Sequence, residues 1–449
     1  MSSFNSLPAE ILVEILKSIP DLPSTLHLLH ASPKASSVFD RNALHIFPAL
    51  IHTLPPETQR IVNTIACLRS NSTPFTSLGA LVEAHMHRSQ ESIPPLDKKP
   101  PSSEVRRILV LSCHIQHLAQ QCLRVMNSRC MRMNILHLES PNIDVVLNAN
   151  PFMCGNFPKD NTHITSQKGR IYFPADAGPP SWVEQQRTYR ALWQLQLFHE
   201  LQFAAQESRL EWSDEEIYAI LNIDAVRFWT PLDRFILEQF RTVKECLDDL
   251  YTDSLPSKLP RYRGSINYHW PNQVPSEPDN AGRCPYGDSP EDLQVSSAGH
   301  IIATNCLISY ARVIPAKEMA YHPFRYYGTA IWDRRRLVAL GLDSIITHAL
   351  TNKFTRLSNT IYTWGSLLTR NDTDRLAEQD EDVRPFSGDD HPLPANDSEL
   401  SYRLLLLQNW RRRVFLRMSD FAIEEQGFHR IPREEGLSGL YLSSLWLAG

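Results

Sequence analysis

Glycine is scarce in this chain, 16 of 449 residues, and the scarcity removes whole classes of chemistry. No Gly-x-Gly-x-x-Gly and no glycine-rich turn ending in Gly-Lys-Ser/Thr occurs, so no backbone cradle for phosphates is built in the usual way. Trp364-Gly365-Ser366-Leu367 lacks the second glycine of a nucleophile elbow. His199-Glu200 is followed by Leu201-Gln202-Phe203, so no second imidazole arrives one turn later to complete a zinc pair. The eight cysteines, at 67, 113, 122, 130, 154, 246, 284 and 306, form no Cys-x-x-Cys. They read as reduced and buried, which suits the cytoplasm or nucleus. No charge sign dominates: the net charge of −5 gives no general field for nucleic acid or an anionic membrane. No apolar run approaches the ~18 residues of a spanning helix; Leu404–Leu407 stops at Gln408. The N-terminus shows neither the basic region nor the apolar core of a secretion signal. No internal period of ~20–50 residues appears, which argues against solenoids and propellers. The expectation is a protein without metal, nucleotide or other cofactor, binding neither nucleic acid nor membrane.

What is present is helical pattern. Hydrophobic residues at 42% and charged residues at 21% describe an ordinary globular composition, and the length predicts two or three folding units. Pro55-Pro56-Glu57 opens a helix with Ile61, Ile65 and Leu68 on one face. A second follows from Phe75 to about Arg88. From Glu104 to about Met126, Val105, Ile108, Leu111, Ile115, Leu118, Cys122 and Val125 keep a stripe at helical spacing. Three later starts place a hydroxyl three residues before an acid: Ser181-x-x-Glu184, Ser213-x-x-Glu216 and Thr230-Pro231-x-Asp233. The first leads into Tyr189, Trp193, Leu197 and Leu201, a repeat of four. Helical pattern returns at Leu293–Val313, Ile331–Leu350 and Glu399–Met418. The stretch around 134–180 is irregular, with a small hairpin expected over Ile164–Phe173. Long loops are expected near 254–292 and 371–400, the second strongly acidic. The fold class this predicts is all-α, a large irregular and non-repeating helical domain over 51–449 behind a separate N-terminal segment, 1–50.

That segment carries the most information. Pro8 suits a helix start, where its missing N–H costs nothing. At 100° per residue, Leu7, Ile11, Leu12, Ile15, Leu16 and Ile19 spread over roughly 180°, with Glu10, Glu14 and Lys17 opposite. An apolar arc that wide exceeds what one small hairpin covers. Pro20-Asp21-Leu22-Pro23 ends the helix. Leu22, Leu26 and Leu29 mark a second helix, and Ser32-Pro33 reads as cap and first residue of a third carrying Val38 and Phe39. Three helices in ~40 residues make a unit too small to be comfortably stable alone.

The Leu7-Pro8 pair, Glu10-Ile11, Ile15-Leu16, the Pro20-Asp21-Leu22 link, the leucine-rich second helix and the Ala31-Ser32-Pro33 junction together resemble an F-box, of the type found in filamentous fungi. Val38-Phe39 stands where many F-boxes carry a tryptophan, which implies a weaker adaptor contact. The resemblance implies docking on the Skp-type adaptor of a cullin–RING ubiquitin ligase through Leu7, Pro8, Ile11, Leu12, Ile15 and Leu16. The rest of the chain would then recruit an unidentified protein substrate. Part of the contact surface is expected in the irregular stretch 134–180, with Phe152, Phe157, Tyr172 and Trp182 as anchors. Three other readings remain open: an adaptor complex outside any ligase, an enzyme within the helical region, and a helical protein whose N-terminus only mimics an F-box. No catalytic constellation supports the second. His114 and His117, at i and i+3 near Cys113, lack the third and fourth ligands a metal site needs. Arg334–Arg336 and Arg411–Arg413 each fan over ~200° of a helix, which reads as solvated faces and contact with the acidic 371–400 segment.

Overall fold

The computed structural model describes residues 6–70, 75–86, 101–138, 169–229, 234–254 and 322–342, with positions 363, 366 and 367. Helices dominate, and the one sheet among the described residues has two strands. The chain divides into two compact units: Met1–Val125 with Pro180–Gln294, and Met126–Pro179 with Val295–Gly449. Residues 1–50 and the start of 51–449 fall together in the first. The expected helices at 293–313 and 399–418, the two long loops, the Thr230 cap, Phe152, Phe157 and Arg411–Arg413 lie outside the described residues.

The first unit begins with three helices: α1 (Ala9–Lys17), α2 (Leu22–Ala31) and α3 (Pro33–Ile51). Each start has a local cause. Pro8 is the N-cap of α1, one position before the first-turn site expected for it. The Asp21 carboxylate caps α2, accepting from the Ser24 N–H at 2.7 Å. The Ser32 hydroxyl caps α3, accepting from the Ala35 N–H at 3.2 Å. Leu12 and Leu16 from α1, Leu22, Leu26 and Leu29 from α2, and Val38, Phe39, Ile46 and Phe47 from α3 form the buried interior. Each such side chain contributes about 1.5–3 kcal/mol of burial.

Three further helices, α4 (Pro56–Arg69), α5 (Leu78–Met86) and α6 (Ser102–Cys130), precede the central α7 (Trp182–Gln206). The capping box expected at Ser181 is formed on both sides. Ser181 N–H donates to Glu184 Oε2 at 2.9 Å, and Glu184 N–H donates to Ser181 Oγ at 3.4 Å. The second box, at Ser213 and Glu216, opens α8 (Asp214–Asn222). A short α9 (Ala225–Phe228) and α10 (Arg234–Ser254) complete the unit.

α7 departs from the one-faced helix that the spacing of Tyr189, Trp193, Leu197 and Leu201 predicts. Every residue from Arg187 to Gln194 is buried, so no side of that stretch faces water. The reason is position: α4 and α10 pack along it, and α8 and α9 cover further flanks. Two of its buried charged side chains, Arg190 and Glu200, are partnered on neighbouring helices, while Trp193 Nε1 and Gln194 Oε1 are buried without a hydrogen-bond partner among the described residues. Arg190 donates to Gln239 Oε1 on α10 at 2.6 Å. Glu200 accepts from Arg69 Nε on α4 at 3.0 Å and from Gln196 at 2.8 Å.

An arginine of α6 reaches across to α3. Arg106 pairs with Asp40 (Nε to Oδ1, 2.6 Å), donates to Ser36 Oγ at 2.6 Å and lies over the Phe39 ring, 5.5 Å from its centroid. The N-terminal helices are thus tied to the following segment by a partly exposed ion pair, with Arg106 at 27% and Asp40 at 47% side-chain exposure.

In the second unit, β1 (Ile135–Leu138) pairs antiparallel with β2 (Gly169–Tyr172), Ile135 opposite Tyr172 and Leu138 opposite Gly169. The strand at 169–172 lies within the expected hairpin, but its partner comes from a segment read as irregular. Two short helices follow, α11 (His322–Tyr326) and α12 (Arg334–Ala339). α12 is shorter than the Ile331–Leu350 pattern suggests. Gly341, at φ +78°, ends it, because a backbone with positive φ leaves the helix. Only glycine fits there, since a Cβ would come 2.5 Å from Tyr172 Cε1. The Tyr172 ring stacks on His137 at 4.5 Å and 15°, and His137 Nε2–H donates to the Gly341 carbonyl at 2.7 Å. Arg336, expected on a solvated face, is instead buried. Its guanidinium donates to Asn127 Oδ1 at 3.0 Å and to the carbonyls of Gly178 and Pro179 at 2.9 and 3.0 Å.

Candidate protein-docking face

The ~180° apolar arc of α1 divides into two stripes. Leu12 and Leu16, one turn apart, are 0% exposed and serve as core of the three-helix bundle. Leu7, Ile11 and Ile15 repeat every four residues on the adjoining stripe and stay at the surface. Ile11 is 48% exposed, Pro8 is exposed, and Leu7 and Ile15 are half-buried. Of the six side chains expected to dock, four therefore reach solvent and two are consumed by the fold. Glu14, at i+3 from Ile11, borders this stripe, and its Oε1 pairs with Lys17 Nζ at 2.9 Å.

The start of this face is anchored. Lys34 Nζ, in the first turn of α3, donates to the Leu7 carbonyl at 2.6 Å. The distance in sequence, 27 residues, explains why no local pattern suggested it.

Two other clusters show what the remaining chemistry does. His85 on α5 packs edge-on against Trp229 at 6.3 Å and near Phe75 at 6.1 Å. Its Nε2 lies 3.2 Å from Thr64 Oγ1. Thr64 gives its own proton to the Arg60 carbonyl at 2.9 Å, so His85 is the donor in this pair. Burial, and secondarily the Arg60 charge, push the imidazole down to about 4. No local spacing points to this nest, because Trp229 lies far along the chain.

The nest predicts a pH response. An unfolded imidazole protonates near 6.5 and the folded one near 4. Between those values the unfolded state holds the extra proton, so stability is complete above 6.5 and falls as pH falls toward 4. The loss from this group is on the order of 2 kcal/mol, trimmed by the part of His85 that stays open to solvent. Urea unfolding of His85→Gln beside the native chain at a series of pH values checks it. The difference between the two should shrink as the pH drops, and a constant difference would refute the assignment.

His114 lies beside His117 on α6. Burial first, and His117 second, lower His114. Among the described residues no group of three or more His, Cys, Asp or Glu side chains converges. Five described cysteines, at 67, 113, 122, 130 and 246, are buried thiols, with Cys67 and Cys113 raised to about 11 by burial. Thiols that far above neutral are poor nucleophiles. Among the described residues no helix is long and apolar enough to cross a membrane. In the second unit Tyr172, expected as a contact anchor, is committed to the stack on His137. Trp182 is half-buried at the start of α7.

Compared with family models, with curated proteins and with solved structures, the chain matches none.

Proposed function

We propose that this protein is a substrate receptor of a cullin–RING ubiquitin ligase, docking on a Skp-type adaptor through an F-box-like bundle at its N-terminus. The observation that carries the reading is the stripe of exposed Pro8 and Ile11 flanked by half-buried Leu7 and Ile15, left at the surface of α1 after Leu12 and Leu16 close the bundle. Apolar side chains aligned on one helix face and left uncovered by their own fold suit a helix-in-groove contact. The Leu-Pro pair, the leucine-rich second helix and the Ser-Pro junction give that contact its family resemblance. The receptor itself needs no chemistry under this reading. It raises the concentration of a bound target near a loaded ubiquitin-conjugating enzyme. The helices after the bundle, built on the buried α7, would form the rigid frame that selects the target.

Affinity purification of the full chain from cells with the proteasome blocked tests the proposal. Adaptor and cullin recovered together are the expected result. Adaptor without cullin would place the protein in a complex outside the ligase. Neither would end the reading.

A further inference from the structure

Lysine is out of place in the first turn of a helix, where the positive end of the macrodipole opposes it by about 0.3–1 kcal/mol. Lys34 occupies that position in α3, whose first turn holds no acidic residue. Its ammonium reaches back 27 residues to the Leu7 carbonyl, at 2.6 Å and partly buried. Leu7 lies ahead of the α1 N-cap, Pro8, so its carbonyl stands outside the helical bond pattern. The α1 ladder begins with Leu12 N–H donating to the Pro8 carbonyl. That bond holds Pro8 to α1, and Lys34 ties the preceding Leu7 to α3.

We infer that Lys34 is the positioning residue of the docking face, holding Leu7 in line with Pro8, Ile11 and Ile15 before a partner arrives. This rests on the proposed adaptor contact and adds to it. Of the residues that set affinity, one would lie outside the apolar stripe and touch no partner. Preorganising a flexible end lowers the ordering cost of binding. A charge-assisted hydrogen bond of this kind is strong enough to matter.

The test uses the full chain with Lys34→Met, which keeps the unbranched apolar stem and removes the ammonium, and Lys34→Arg, which restores a donor. Hydrogen exchange followed by mass spectrometry reads the segment directly, without any adaptor. Amides within residues 6–12 should exchange faster in Lys34→Met while those of α3 are unchanged. Adaptor affinity should fall by roughly 5–10-fold, with thermal stability unchanged or slightly raised by removal of the unfavourable charge, and Lys34→Arg should recover part of the loss. Unchanged exchange at 6–12 overturns the inference. So does full adaptor affinity in Lys34→Met, or a loss of affinity accompanied by melting of the bundle, which would make Lys34 merely structural. A native chain that does not bind the adaptor removes the docking reading itself. In that case exchange alone still decides whether Lys34 holds the segment.

Discussion

Replacing Ile11 with aspartate is expected to abolish adaptor recovery while leaving the protein folded. Ile11 is 48% exposed, so the folded chain loses little when it is changed. Surface substitutions of this kind stay within about 0.5 kcal/mol. At an apolar interface the same carboxylate would be stripped of water with no partner, a cost of several kcal/mol. At about 1.4 kcal/mol per tenfold, affinity should drop more than ~100-fold. Leu16→Ala provides the contrast. Leu16 is 0% exposed, and truncating it should lower stability by about 2–5 kcal/mol, taking adaptor binding down only through unfolding. Pull-down and thermal melts of the two variants separate the stripes. Native-like recovery of adaptor by Ile11→Asp would show that the exposed stripe is not the contact.

The second large effect is expected at the centre of the first unit. Trp193 is 0% exposed and meets Tyr189 edge to face at 6.0 Å and 87°. Tyr189 is itself buried, its hydroxyl held well above the usual phenol range by that burial. Trp193→Ala should cost about 3–5 kcal/mol, a large share of the ~5–15 kcal/mol of a typical domain. α7 has no solvent side at this level, so the surroundings cannot relax outward to fill the space. Denaturant unfolding followed by far-ultraviolet circular dichroism measures it, free of the change in tryptophan emission. A shift worth under ~1 kcal/mol would show that α7 is not the element the unit is built around.

How much of this was legible in sequence depends on the range of the cause. Helix starts were legible at Ser32, Ser181 and Ser213, because a cap and the N–H it satisfies lie within one turn of each other. The long stripe from Val105 to Val125 was legible for the same reason, and the structure extends it only to Ser102–Cys130. Arg336 was misread as solvated because its partners Asn127, Gly178 and Pro179 lie about 160 to 210 residues away in sequence. The partner of the strand at 169–172 was missed because pairing needs a second segment, and Ile135–Leu138 carries no strand signal strong enough to nominate itself.

The docking face shows the division most clearly. The sequence by itself determined that α1 would be a helix with an apolar arc of ~180°, since periodicity and the flanking prolines are local properties of the chain. It could not say which half of that arc would be spent. α3 decided it by packing on Leu12 and Leu16 and leaving Ile11 uncovered, and Lys34 then tied Leu7 to α3. Both outcomes depend on contacts across tens of residues, and only the closed chain specifies those.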